Sequence, residues 1–160
     1  MLAALALVSS PAARARTTRQ NAVAARVVRA INHFRVTHGL NRLRVNDRLV
    51  DAARAHSLEM ASDGYFSHRS ADGSSFWQRV RRWYIVTPRW STGENLVWRR
   101  PRIGGMRVLQ LWLASPPHRA NLVDPGWRDV GCSAVHSSSA PGVFANRAVT
   151  IVTCDFGARS

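Results

Sequence analysis

The run Ala148-Val149-Thr150-Ile151-Val152-Thr153-Cys154-Asp155-Phe156 decides the fold class, read together with Asp129-Val130-Gly131-Cys132-Ser133-Ala134-Val135-His136. The first is β-branched and apolar, and the second alternates Val130, Cys132 and Ala134, so both read as strands. Ser137 to Gly142 between them is rich in turn formers. Upstream, the spacing is helical. Val23, Val27, Ile31 and Phe34 predict a helix from Ala22, which Gly39 stops in a left-handed cap. Asn46 or Asp47 is placed to cap a second helix running to about Ser62. Its inner seam is Leu49, Ala53, His56 and Met60, and Asp63-Gly64 ends it. Ser74 or Ser75 can cap a short third helix through Phe76, Val80 and Trp83. Gly93 to Trp98 reads as a turn running into a short strand. Gly104-Gly105 precede a fourth helix, with Met106, Leu109 and Leu113 on one side and Val108 and Trp112 on another. Pro116-Pro117 end it before a helical turn from His118 to Leu122. Helices first and strands last predict an α+β domain with an antiparallel sheet.

The chain has 160 residues, 46% of them hydrophobic, which suits one domain with a real core and excludes disorder. Its net charge of +14 comes from 23 basic residues against 9 acidic ones, and every basic residue is arginine. Such a surplus favours anionic partners, or is spread over a solvated face. No continuous basic helix is present, so specific nucleic-acid binding is not expected. Residues 1–15 read as an export signal: the apolar run Leu2 to Val8, a break at Ser9-Ser10-Pro11, then Ala13-Arg14-Ala15 as a cleavage site. A basic residue before the apolar run is missing. The run is too short to span a bilayer, and no later segment is apolar enough, so a secreted rather than transmembrane protein is expected. Residues 16–22 form a short polar lead-in, and 23–157 the folded domain. Cys132 and Cys154 are the only cysteines. In an exported chain they read as a disulfide, with two buried thiols as the alternative.

Glutamate is scarce: only Glu59 and Glu94. Glu94 sits in Gly93-Glu94-Asn95, where glycine permits a tight turn and asparagine can bond local backbone. His68 follows Tyr65-Phe66-Ser67, and His118 follows Pro116-Pro117. All three chemically capable residues stand at element ends. His56 and Glu59 are one helical turn apart and predict a packing pair. Trp112 is expected in the core. Trp77, Trp83, Trp90 and Trp98 could line an apolar groove, though core use is the simpler reading.

These motifs have a family likeness. His56-Ser57-Leu58-Glu59-Met60-Ala61 with Tyr65-Phe66-Ser67-His68, then Gly93-Glu94-Asn95-Leu96, then Trp112 to Leu122, then Gly131-Cys132 and Cys154-Asp155-Phe156-Gly157, resemble in order the segments of bacterial CAP (SCP) domains. CAP stands for cysteine-rich secretory, antigen 5 and pathogenesis-related proteins. The resemblance runs from about residue 23 to 157. It implies an α-β-α sandwich, a central antiparallel sheet flanked by helices, and a cleft lined by two histidines and acidic residues. Carried over by motif, these are His68, His118 and Glu94. The second glutamate of many eukaryotic members would fall at Ser115, so it is lacking. Pro117 replaces a glycine usual in bacterial relatives.

Two imidazoles and a carboxylate suit a divalent metal with an open position. Zinc fits these ligand types best, and calcium would want more oxygens. The alternative is a hydrogen-bonded His-Glu-His cluster that fastens loops. The expectation for function is a secreted, non-catalytic binding module whose His/Glu cleft holds a divalent metal or a small apolar ligand. Two further possibilities are a metal-assisted hydrolase or protease using His68, Glu94 and His118, and an electrostatic binder of anionic cell-envelope polymers. A serine hydrolase built on Ser115 lacks a Gly-x-Ser-x-Gly elbow.

Overall fold

The structure, a computed structural model, describes residues 11–84 and 88–160, with side chains from residue 22 onward. The apolar run Leu2–Val8 lies outside the described residues. The elements are α1 (Pro11–Thr37), β1 (Arg44–Val45), α2 (Asp47–Asp63), α3 (Phe76–Arg81), β2 (Trp90–Arg99), α4 (Gly105–Leu113), α5 (Pro116–Val123), β3 (Asp129–Ala140) and β4 (Arg147–Arg159). The four strands form one sheet in the order β1-β3-β4-β2. Both long pairings are antiparallel, as expected, and the two-residue β1 joins β3 in parallel. This is the expected α-β-α sandwich.

Strand alternation sorts the side chains into two layers. Val130, Cys132, Ala134, Val152, Cys154 and Phe156 point to one face, where Val27 and Ile31 of α1 and Val108, Leu109 and Trp112 of α4 cover them. Leu96, Val135 and Ile151 point to the other, against Met60 of α2. Leu49 and Ala52 of α2 extend that second layer to Val80 and Tyr84. Cys132 and Cys154 are direct partners across β3 and β4 and form a disulfide. Closing a loop of this size typically adds about 3 kcal/mol.

The local signals explain the helix ends. Asn46 Oδ1 accepts from the Arg48 and Leu49 N–H groups, and Gly64 ends α2 at φ 74°. The expected seam of Leu49, Ala53, His56 and Met60 is fully buried. Gly39 takes φ 72° after α1. Ser75 donates through both its N–H and its hydroxyl to Gln78 Oε1 at the start of α3. Arg35, also fully buried, donates to the carbonyls of Asn41, Leu122 and Asp124 and so ties α1 to the end of α5.

Several readings are corrected. Helix α1 begins at Pro11, well before Ala22, so the lead-in is helical backbone. Gly93-Glu94-Asn95 is no turn but the middle of the ten-residue β2. Gly93 is needed for closeness, not for curvature: a Cβ there would lie 2.7 Å from Asn121 Oδ1 and 2.9 Å from the Trp127 ring. Pro116-Pro117 do not close a helix; they open α5, where a missing N–H costs nothing. Strand β3 continues through an irregularity to Ala140, so the turn falls later than Ser137. Met106 is 59% exposed and stays outside the core.

Candidate functional site

Strand β2 is the sheet edge, and the candidate residues gather around it from both faces. Glu94 points towards α2 and α3. The loop after α2 brings His68 onto it, with His68 Nδ1 2.7 Å from Glu94 Oε1. That loop is fastened by His56, whose Nε2 lies 2.8 Å from the Ser67 carbonyl oxygen and whose Nδ1 lies 3.2 Å from Glu59 Oε2. The expected His56–Glu59 packing pair is therefore present, and it sets the height of the loop that carries His68. From the opposite face, Asn95 donates to the His118 carbonyl at 3.0 Å. Asn121 donates to Asn95 Oδ1 and to the Glu94 carbonyl. These bonds hold the first turn of α5 against β2 and put the His118 ring 6.5 Å, centroid to centroid, from that of His68. Asn95 thus bonds a different element, not its local backbone. Residues 68, 94 and 118 share one place.

The charge at its centre is buried. The Glu94 side chain is 1% exposed, and its second oxygen, Oε2, accepts from Arg79 of α3, itself 5% exposed. Arg79 also donates to the His68 carbonyl and to Ser70 Oγ. An ionised carboxylate can only accept, so the His68 Nδ1–H donates to it and Nε2 is the ring nitrogen left facing away from Glu94. The His68 side chain is 51% exposed, so this outer edge reaches solvent. Burial, and secondly the neighbouring His68, hold the His118 imidazole below the usual histidine range, which favours its neutral form.

Asp155 completes the interior. It is the cross-strand partner of Glu94 and is fully buried beside that carboxylate. Burial pushes its pKa well above the ordinary 3.8; the Glu94 charge adds to the rise and Arg79 opposes it. The folded protein therefore keeps this proton at a pH where the unfolded chain has lost it. Its contribution to stability falls as pH rises from about 4 through that window. Asp155→Asn is expected to flatten this decline in urea midpoints measured from pH 4 to 8; parallel wild-type and variant curves would refute the assignment.

As a ligand set, the trio does not fit a divalent ion. Both Glu94 oxygens are engaged, one by an imidazole N–H and one by a guanidinium, and the carboxylate has almost no exposed surface. Among the described residues, no group of three or more His, Cys, Asp or Glu side chains is arranged to hold a metal. What faces outward is the pair of imidazoles. Ser115 stands at the start of α5, where its carbonyl accepts from the Arg119 N–H and its hydroxyl makes no capping bond.

Arg79 and Asp155 escaped the sequence reading. Nothing in the chain distinguishes Arg79 from the other arginines. Asp155 left a trace, a lone acid in an apolar β-branched run, which is where a buried charge would announce itself. Of the four tryptophans in question, Trp77 and Trp83 are 45% and 39% exposed. Trp98 packs edge-on against Phe144 and Phe66, and Trp90 packs on the Tyr84 cluster, so no four-tryptophan groove forms.

Known proteins resemble this chain in sequence and in fold. The family model described as "CAP: Cysteine-rich secretory protein family" matches residues 28–156. An uncharacterised protein of Bacillus subtilis (strain 168), YkwD, is 29% identical over 114 residues, covering 71% of this chain and 43% of its own length. The membrane protein YlbC of the same organism is 29% identical over 100 residues, 62% of this chain and 28% of that protein. The chain thus spans less than half of either relative. Among solved structures, an extracellular SCP-domain protein of Bacillus anthracis superposes with TM-score 0.73 at 24% identity, over 97% of this chain and 45% of the other. An outer surface protein of Borrelia burgdorferi gives TM-score 0.64 at 22% identity, over 84% and 90%. These two likenesses support the fold. With the family model covering the sheet, both helical layers and the edge of β2 alike, the chain belongs to the CAP, or cysteine-rich secretory protein, family.

Proposed function

We propose that this chain is an exported binding domain that holds a small ligand between the outer edges of His68 and His118 and does not turn it over. The carrying observation is the state of Glu94. A general base or nucleophile needs a lone pair within reach of substrate. Here both oxygens are committed inward, so the carboxylate orients His68 instead of reacting. The mouth offers the His68 Nε2 edge, the His118 ring and the Phe76 ring, edge-on to His68 at 6.4 Å. That chemistry selects a small, partly apolar ligand with one group that coordinates or hydrogen-bonds imidazole. Zinc, the divalent ion expected from the histidines, would meet two protein ligands here, which supports weak binding and not a tightly held cofactor.

Export is supported by the apolar run and cleavage-like sequence at the N-terminus and by the disulfide. The names of the extracellular and outer-surface relatives agree with it. Among the described residues no helix is long and apolar enough to cross a membrane.

Zinc titration followed by NMR of the histidine rings tests the mouth. The His68 and His118 signals should move together, in the micromolar range or weaker, and His118→Ala should abolish the response. Purified protein should also leave panels of peptides and esters intact. Turnover that disappears in Glu94→Gln would overturn the non-catalytic reading.

A further inference from the structure

A concentration of positive charge lies away from the histidines, at the other end of the β2 edge. There the start of β2, the approach to β3 and the end of β4 enclose an open hollow of about 590 Å³, with Arg89, Arg128 and Arg159 in its lining and Trp90 beside them. Trp90 and Glu94 are four residues apart on β2, so the hollow and the cleft are separated by roughly 13 Å of strand.

Three features mark this as a built surface. The arginines come from three separate segments that only the sheet register brings together: Trp90, next to Arg89, pairs with Arg159, and the Arg128 N–H donates to the carbonyl of Gly157. Two of the guanidiniums are held in place. Arg128 Nη1 donates to the carbonyls of Pro125, Gly126 and Trp127, and Arg159 lies over the Tyr84 ring at 4.8 Å. Finally, the nearby acids do not cancel the charge. Asp129 is buried and already accepts from Tyr84 and Arg44, with Arg159 Nε 4.0 Å away. Asp124 is occupied by the Gly126 N–H. Asp129 and Asp124 are thus both engaged beside the guanidiniums of Arg44, Arg128 and Arg159.

We propose that this hollow is a binding site for a phosphate-bearing polyanion, a soluble chain with successive phosphate groups. Arginine forks match the oxygens of phosphate two at a time, and guanidiniums stay charged at any physiological pH. Several forks around one hollow call for more than one anionic group, which a chain supplies and a single ion does not. Restraint of Arg128 and Arg159 before the ligand arrives lowers the ordering cost. The site is independent of the His68–His118 mouth.

The test compares inorganic long-chain polyphosphate, orthophosphate, and phosphatidylcholine vesicles with and without phosphatidylglycerol, at low salt. Polyphosphate should bind at least tenfold more tightly than orthophosphate, and its binding should weaken steeply as salt is added. Arg89→Gln and Arg159→Gln should each weaken it fivefold or more, with Arg89→Lys recovering part of the loss. Arg107→Gln on α4 and His118→Ala should change it less than twofold. Thermal melting of each variant separates lost binding from lost folding. Equal losses at Arg107, no preference over orthophosphate, or binding to anionic vesicles alone would each overturn the proposal.

Discussion

Arg79→Ala is expected to lower the unfolding free energy by about 3–5 kcal/mol, the loss typical of breaking a buried ion pair from one side. Glu94 would be left at 1% exposure without its guanidinium partner, beside a second buried carboxyl at Asp155. The chain could respond by protonating Glu94 or by releasing the His68 loop, and both cost free energy. The loop would also lose the bonds from Arg79 to the His68 carbonyl and Ser70. Urea unfolding at pH 7 measures the loss. A change under about 1 kcal/mol, the worth of an exposed pair, would show that Arg79 does not hold Glu94. The double variant Arg79→Met/Glu94→Gln should recover much of the deficit, because it removes the stranded charge along with its partner. In the same variants the His118 ring should stay in place, since α5 is held by Asn95 and Asn121 and not by the ion pair.

The second large effect is expected at Gly131. A Cβ there would lie 2.2 Å from the Leu49 carbonyl carbon and 2.2 Å from the Val50 nitrogen. Both are backbone atoms in the first turn of α2, so no side-chain rotation relieves the clash. Gly131→Ala must push α2 off β3, opening the layer that buries Leu49, Ala52 and Ala53 and that covers Asp155, the cross-strand partner of Gly131. A loss of about 4 kcal/mol or more is expected, beyond ordinary overpacking. Gly104→Ala is the control, because nothing lies within 4 Å of a Cβ at that position. It should cost at most about 1 kcal/mol, from the weaker N-cap of α4. Thermal melts of the two variants side by side decide the matter, and similar melting temperatures would sink the close-approach argument. Helix α2 also carries His56, so a displaced α2 should loosen the His68 loop and broaden the His68 ring signals.

These two residues mark the boundary of what the chain reveals in one dimension. Helices and strands were legible because burial imposes a period: the seam of α2 and the alternation of β3 repeat within a few residues of sequence. The two cysteines were legible as a pair because no other partners exist. His68, Glu94 and His118 were legible through local motifs, and the fold does gather them. Where the local reading failed, a distant element had overridden it. Gly93 and Asn95 look like turn formers, but α5 needs a bare backbone and an amide at those points of β2. Pro116 and Pro117 look like a stop, yet they stand at the one place in a helix where the missing N–H is harmless. Arg79 is one arginine among many until the sheet carries Glu94 to it, and Gly131 is an ordinary strand glycine until α2 lies across it. Period, capping and pairing are properties of neighbours along the chain, and sequence alone determined them. Which charge is buried, which is neutralised and which backbones touch depend on contacts between residues tens of positions apart, and those only the tertiary structure decided.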